Sequence, residues 1–170
     1  MYLFKRSAIK QLIIVVSFFL TFLSCDDDDG NDSSTNINID NKAILSIINQ
    51  HRDKGTACNG NDQGAVAYLE WDDHLAKAAL DHSNDMQQNN YFSHQGKNGS
   101  SFSERAEDAG FEGFPTGENI AAGHDSEEAV MEGWINSEGH CVNIMNSNAT
   151  HVGVARSDEG ALWTMVLGRK

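Results

Sequence analysis

Apolar residues recur at helical spacing in the first two thirds of the chain and turn to strand-like alternation near its end. Ile44, Ile47, Ile48 and His51 predict a first helix over about 41–53. The stretch from Gly55 to Gly64 (GTACNGNDQG) reads as a loop carrying Cys58, and 65–69 (AVAYL) as a short strand. A second helix follows Trp71: Asp72 and Asp73 cap it, Leu75, Ala78, Ala79, His82 and Met86 form one face, and it ends near Asn89-Asn90. The Ser101 to Glu104 capping box opens a third, short helix that stops at Gly110. A fourth starts at Asp125, with Glu128 three residues on, and buries Val130 and Trp134; one or two further turns span Gly139 to Met145. His151 to Arg156 and Ala161 to Leu167 read as the strands of a hairpin around Asp158-Glu159-Gly160. No internal repeat is visible. This order argues for an α+β fold, with helices packed on a mostly antiparallel sheet.

One apolar stretch has a different meaning. Lys5, Arg6 and Lys10 precede twelve residues, Leu12 to Leu23, without a charge. A helix of that length rises only about 18 Å against a hydrocarbon core of about 30 Å, so residues 1–24 read as a signal peptide more readily than as a membrane anchor. Phe22-Leu23-Ser24-Cys25 resembles a bacterial lipobox, which implies that Cys25 is lipidated and tethers the protein to a membrane. The acidic run Asp26 to Asp29 resembles the surface-export signal of Bacteroidetes lipoproteins. Residues 25–40 are too polar to pack and read as a disordered tether to a domain over 41–170.

Charge narrows the partners. The 170 residues hold 25 Asp and Glu against 12 Lys and Arg, and three of those cations lie before residue 25. So acidic a remainder repels phosphate, which argues against nucleic-acid binding. The remaining thiols, Cys58 and Cys141, are an even pair in an exported chain, and a disulfide is the default reading. Two alternatives stay open here: a nucleophilic Cys141 beside His140, and a zinc site using both thiols, although the paired short spacings of such sites are missing.

Candidate chemistry lies in three short segments: Tyr91-Phe92-Ser93-His94, Gly117-Glu118-Asn119-Ile120, and Trp134 through Glu138-Gly139-His140-Cys141 to Met145. They supply two imidazoles, His94 and His140, and two carboxylates, Glu118 and Glu138. Such a set suits a divalent ion with an open water position, or a general acid–base pair. The plainer reading is a set of polar residues tying loops to the body of the fold. His82, on an apolar helix face, reads as buried and hydrogen-bonded; Trp71, Trp134 and Trp163 read as core.

The series Asn49-x-x-Arg52, Leu69-Glu70-Trp71-Asp72, Phe92-Ser93-His94, Gly117-Glu118-Asn119-Ile120-Ala121, Gly133-Trp134 and Ser137-x-Gly139-His140-Cys141-x-Asn143-Ile144-Met145 resembles bacterial members of the CAP superfamily, the SCP-like domains. Val152-Gly153-Val154 and Trp163-Thr164-Met165-Val166 extend the likeness, which covers about residues 43 to 168. The resemblance implies an α-β-α sandwich with a surface cleft lined by two His and two Glu, some relatives holding zinc or another divalent cation there. His94 and Glu118 match that pattern directly, and Glu138 lies one residue beyond the place of the second Glu. Leu162 stands where eukaryotic relatives have the second His, and His140 is the candidate replacement; His94, His140 and Glu118 are then the candidate metal ligands. The implied function is a binding module for a lipid, sterol or peptide at the cell surface or outer membrane. The alternatives are a metal-assisted hydrolase using the same four residues and a structural or adhesive surface protein.

Overall fold

The computed structural model describes residues 37–160 and 162–170. The signal segment, Cys25 and the tether up to residue 36 lie outside the described residues. The last four tether residues belong to the folded body instead. Ile37 is buried and its carbonyl accepts from Arg156 N at 3.1 Å, while Asp40 caps the first helix by accepting from Lys42 N and Ala43 N. An apolar side chain and a cap at the end of a polar run are enough to order it.

The elements run α1 (Asn41–Lys54), β1 (Thr56–Cys58), β2 (Asn61–Gln63), β3 (Glu70–Trp71), α2 (Asp73–Gln88), α3 (Phe102–Asp108), β4 (Phe114–Ala122), α4 (Glu127–Ile135), α5 (Glu138–Ile144), β5 (His151–Arg156) and β6 (Leu162–Arg169). β1 and β2 form a small hairpin within the expected loop. The other four strands make one sheet in the order β3-β5-β6-β4. Its long pairings, β5 with β6 and β6 with β4, are antiparallel; the two residues of β3 run parallel to β5.

Period-two alternation divides the central strands between two cores. Val152, Val154, Trp163, Met165 and Leu167 pack with Ile44 and Ile48 of α1, Val130, Met131 and Trp134 of α4, and Ile144 of α5. Ala155 and Val166 point the other way, toward Leu75, Ala76 and Ala79 of α2 and Ala106 of α3. The expected α-β-α sandwich is thus the observed architecture.

Helix α2 lies directly against β5 because Gly153 has no side chain. A Cβ there would stand 2.0 Å from Ala76 N and 2.3 Å from the Leu75 carbonyl carbon, and helix backbone cannot yield as a side chain can. Gly153→Ala is therefore expected to cost at least about 2 kcal/mol and to lower Tm by several degrees. Gly139→Ala, on α5 and in open space, is the control. Equal melting temperatures for the two variants would contradict this close approach.

Two expectations fail locally. Residues 65–69 form no strand, because α1 satisfies that backbone: Asn49 Nδ2 donates to Leu69 O at 3.0 Å and Asn49 Oδ1 accepts from Leu69 N at 2.8 Å, while Arg52 O accepts from Val66 N. Conversely, the segment around Glu118 is no loop but strand β4, an edge strand with a register shift between Pro115 and Gly117. Pro, Gly, Asn and Glu are poor strand formers, and pairing to β6 overrides their local preference.

Cys58 and Cys141 are joined as a disulfide, Cα to Cα 5.5 Å, linking β1 to α5. A nucleophilic Cys141 and a zinc site on both thiols are thereby ruled out.

Candidate functional site: a buried glutamate held between an arginine and an exposed histidine

Glu118 sits in the middle of β4 with its side chain 1 % exposed. A lone carboxylate at such a position is costly, and both of its oxygens are engaged. Arg105 of α3 donates from Nη2 to Oε2 at 2.6 Å, and the Nδ1–H of His94 donates to Oε1 at 2.8 Å. The His94 side chain is itself 56 % exposed, so the chain of contacts runs from the interior to solvent.

Local structure fixes His94 on the segment that leaves α2. Tyr91 Oη donates to Asp85, and Asp85 accepts from Lys97 N at 3.0 Å, which folds the segment back on the helix. Burial, followed by that carboxylate, pushes the Tyr91 phenol up to about 12. His82 Nε2 donates to Ser93 O at 2.9 Å, one residue before His94. Arg105 completes the clamp, donating to Ser100 O at 2.8 Å and to His94 O at 3.0 Å. Arg105 thus holds both the glutamate and the segment that presents the histidine.

His140 enters from α5. Asn119 Nδ2 donates to its carbonyl at 3.1 Å, and Asn143 Nδ2 donates to Glu118 O at 3.2 Å and Asn119 Oδ1 at 2.9 Å. This amide pair stitches α5 to β4. Burial and then the neighbouring His94 charge lower the pKa of His140, so the two imidazoles share one electrostatic neighbourhood. Beside His94 lies an apolar hollow of about 240 Å³ lined by His94, Gln95, Gly99, Ser101 and Phe102. A second hollow, about 360 Å³, lies between α1 and α4 against Ile47, Met131 and Ile135.

The fourth expected member stands apart. Glu138, at the start of α5, is exposed and accepts from Asn59 Nδ2 at 3.1 Å, at the β1–β2 turn. It hydrogen-bonds none of the other three. Nor do His94, His140 and Glu118 assemble as metal ligands: among the described residues no group of three or more His, Cys, Asp or Glu side chains could hold an ion. The physical reason is the arginine. Its guanidinium occupies the carboxylate face that a cation would take, and Arg105 is the residue that sequence reasoning missed. The only sequence signal was its place directly after the Ser101–Glu104 capping box.

His82 is buried as expected. Burial lowers its pKa most strongly, with Glu118 opposing, so the folded protein holds it neutral at pH values where the unfolded chain protonates it. His51 and His140 are shifted the same way, again first by burial. Stability supplied by a neutral histidine is lost as pH falls below about 6.5, where the unfolded state takes up more protons. Tm is expected to drop between pH 7.5 and pH 5, and less steeply in His82→Gln. A melting temperature unchanged or rising over that interval would count against the assignment.

The fold and its motifs have counterparts in known proteins. The family model described as CAP: Cysteine-rich secretory protein family matches residues 45–167. The chain is 37 % identical over 123 residues to an uncharacterized protein of Bacillus subtilis (strain 168), YkwD, covering 72 % of this chain and 44 % of that one. It is 46 % identical over 89 residues to an uncharacterized membrane protein of the same strain, YlbC, covering 52 % of this chain and 26 % of that one. The chain therefore spans less than half the length of these curated relatives. Among solved structures, an extracellular protein containing a SCP domain from Bacillus anthracis str. Ames aligns with a TM-score of 0.64 at 35 % identity, over 76 % of this chain and 40 % of that one. The match runs from α1 to β6 and takes in every residue of the Arg105–Glu118–His94 relay, and the chain belongs to the cysteine-rich secretory protein (CAP) family.

Proposed function

We propose that this domain is an exported binding module that holds a ligand with an apolar part (a lipid, sterol or peptide) against its His94 face, while a lipidated Cys25 anchors it at the outer membrane or cell surface. The observation that carries the reading is the double engagement of Glu118. With one oxygen on Arg105 and the other on His94 Nδ1, the carboxylate is spent on fixing the imidazole, which leaves the outer ring edge of His94 as the polar recognition group beside an apolar hollow. Exposed Phe92 and Val142, each two residues from one of the imidazoles, add apolar surface of the kind ligand sites use. Ser101 Oγ donates to Glu104 and Cys141 is held in its disulfide, so neither is a free nucleophile. Export is supported by the signal-like first 24 residues, by the disulfide and by the 35 % identical relative described as extracellular.

Thermal melting with three probes, a dansyl fatty acid, a fluorescent sterol and a hydrophobic tripeptide, tests the reading. At a hundredfold excess over Kd a true ligand stabilises by about 2.7 kcal/mol, and at least one probe is expected to raise Tm accordingly. That rise should be lost in His94→Ala. No shift with any probe would overturn the proposal. So would a shift that survives His94→Ala, which would place the ligand in the α1–α4 hollow instead.

A further inference from the structure

The neighbours of His94 fix its tautomer. Glu118 accepts from Arg105 at 2.6 Å, and an ionised carboxylate has no hydrogen to give. The hydrogen of the 2.8 Å contact with Glu118 Oε1 therefore sits on His94 Nδ1. Imidazoles are ordinarily neutral at pH 8, and a neutral ring carries a single N–H. The outer nitrogen, Nε2, is then a bare lone pair. It belongs to a side chain that is 56 % exposed, and it has no partner among the described residues.

The hollow that His94 lines offers an anion nothing in exchange. Its walls are His94, Gln95, Gly99, Ser101 and Phe102, with no Lys or Arg among them. Ser101 Oγ donates to Glu104 at 2.8 Å and accepts from Glu104 N at 3.3 Å, while Gln95 Nε2 donates to Gly99 O at 3.2 Å. A carboxylate seated here would set its lone pairs against that of Nε2 with no cation to compensate. The chain as a whole, with 25 acidic side chains against 12 Lys and Arg, adds to that repulsion. A hydroxyl instead completes the site by donating to Nε2. At about 240 Å³ the hollow is smaller than the roughly 300–1,000 Å³ of drug-sized sites, which suits a short alkyl chain.

We propose that the His94 face selects an uncharged, hydroxyl-headed amphiphile over the corresponding carboxylate, the hydroxyl donating to His94 Nε2 and the alkyl chain lying in the hollow. This rests on the binding role proposed above and names the head group that such a role requires. Titration of the protein at pH 8 with octan-1-ol, octanoate and 1-methoxyheptane, followed by the imidazole ¹⁵N resonances of His94, tests it. The ether matches the alcohol in heavy atoms but has no hydrogen to donate. Octan-1-ol is expected to bind saturably and at least about fivefold tighter than either analogue, the margin of one net hydrogen bond. It should move the Nε2 resonance while Nδ1 keeps its hydrogen. In Glu118→Gln, Arg105 holds the amide oxygen and the amide nitrogen turns to Nδ1, so the ring hydrogen moves to Nε2 and the preference should reverse toward octanoate. That variant leaves Arg105 without its counter-charge and can fail to fold, so the tautomer of the parent is read as well: a hydrogen on Nε2 in the free protein would overturn the inference. So would equal affinity for alcohol and ether, a preference for octanoate, no saturable binding of any of the three, or a folded Glu118→Gln that keeps the parent's order. The binding role itself falls only if the dansyl fatty acid, the sterol and the tripeptide also leave Tm unchanged.

Discussion

Arg52→Met is expected to lower the unfolding free energy by about 3–5 kcal/mol, measured as a shift of the urea midpoint at unchanged slope. Arg52 is completely buried in α1, and it forms no ion pair among the described residues. Its guanidinium donates to four carbonyls: Nε to Ala67 O at 2.7 Å, Nη1 to Ile144 O at 2.6 Å and Asn146 O at 3.1 Å, and Nη2 to Ala149 O at 3.3 Å. Burial pushes its pKa down to about 10, which still leaves it charged at neutral pH. These carbonyls come from the coil before β3, from the last residue of α5 and from the turn that follows it, so one side chain ties three separate stretches of backbone together, although the Asn146 carbonyl also accepts from Ala149 N. Methionine fills much of the volume but donates nothing, and each buried carbonyl left bare costs about 1–3 kcal/mol. The relief of no longer burying a charge offsets part of that sum, which sets the estimate below the simple total. Arg52→Lys should recover little, since an ammonium cannot span a planar fan of acceptors. A loss under about 1 kcal/mol in Arg52→Met would show that these carbonyls find other partners.

Removing the disulfide is the second large effect. The bond closes a separation of 83 residues, and Cys58→Ser with Cys141→Ser should cost about 2–5 kcal/mol. The consequence is local as well as global. The β1–β2 hairpin reaches α5 through this bond and through the Asn59–Glu138 hydrogen bond, so it loses its main attachment on reduction. By contrast, the contacts among His94, Glu118 and Arg105 involve neither cysteine. The double variant should therefore melt well below the parent while retaining any ligand response of the His94 face at a temperature where it is folded. Melting curves with and without a phosphine reductant give the check; superimposable curves would contradict it.

What the sequence could tell followed from what is local in it. The four helical faces, the capping box at Ser101 and the terminal hairpin depend on neighbours within a few residues, and all appear at or near their expected places. Strand β4 was hidden because its stability comes from β6, some forty residues away, and its composition argues against a strand. Residues 65–69 misled for the opposite reason: they look like a strand, but two side chains of α1 serve as its neighbour. At the site, likeness to a family carried His94 and Glu118, which do touch. Spacing alone said nothing of Arg105, and it is this cation that turns an apparent metal set into a closed ion pair with an outward-facing imidazole. Glu138, chosen by position after Trp134, turns instead to the hairpin that the chain hides in a loop-like stretch.

Glu118 is committed to Arg105 and His94, which makes it a positioning group for the His94 face. The most direct measurement is a crystal structure of the protein soaked with zinc, with anomalous data collected at the zinc edge. Arg105 Nη2 and His94 Nδ1 are expected still on the two Glu118 oxygens, at separations near 2.6 and 2.8 Å, with no anomalous peak between them. A zinc peak shared by Glu118 and either imidazole, with the Arg105 side chain displaced, would contradict it.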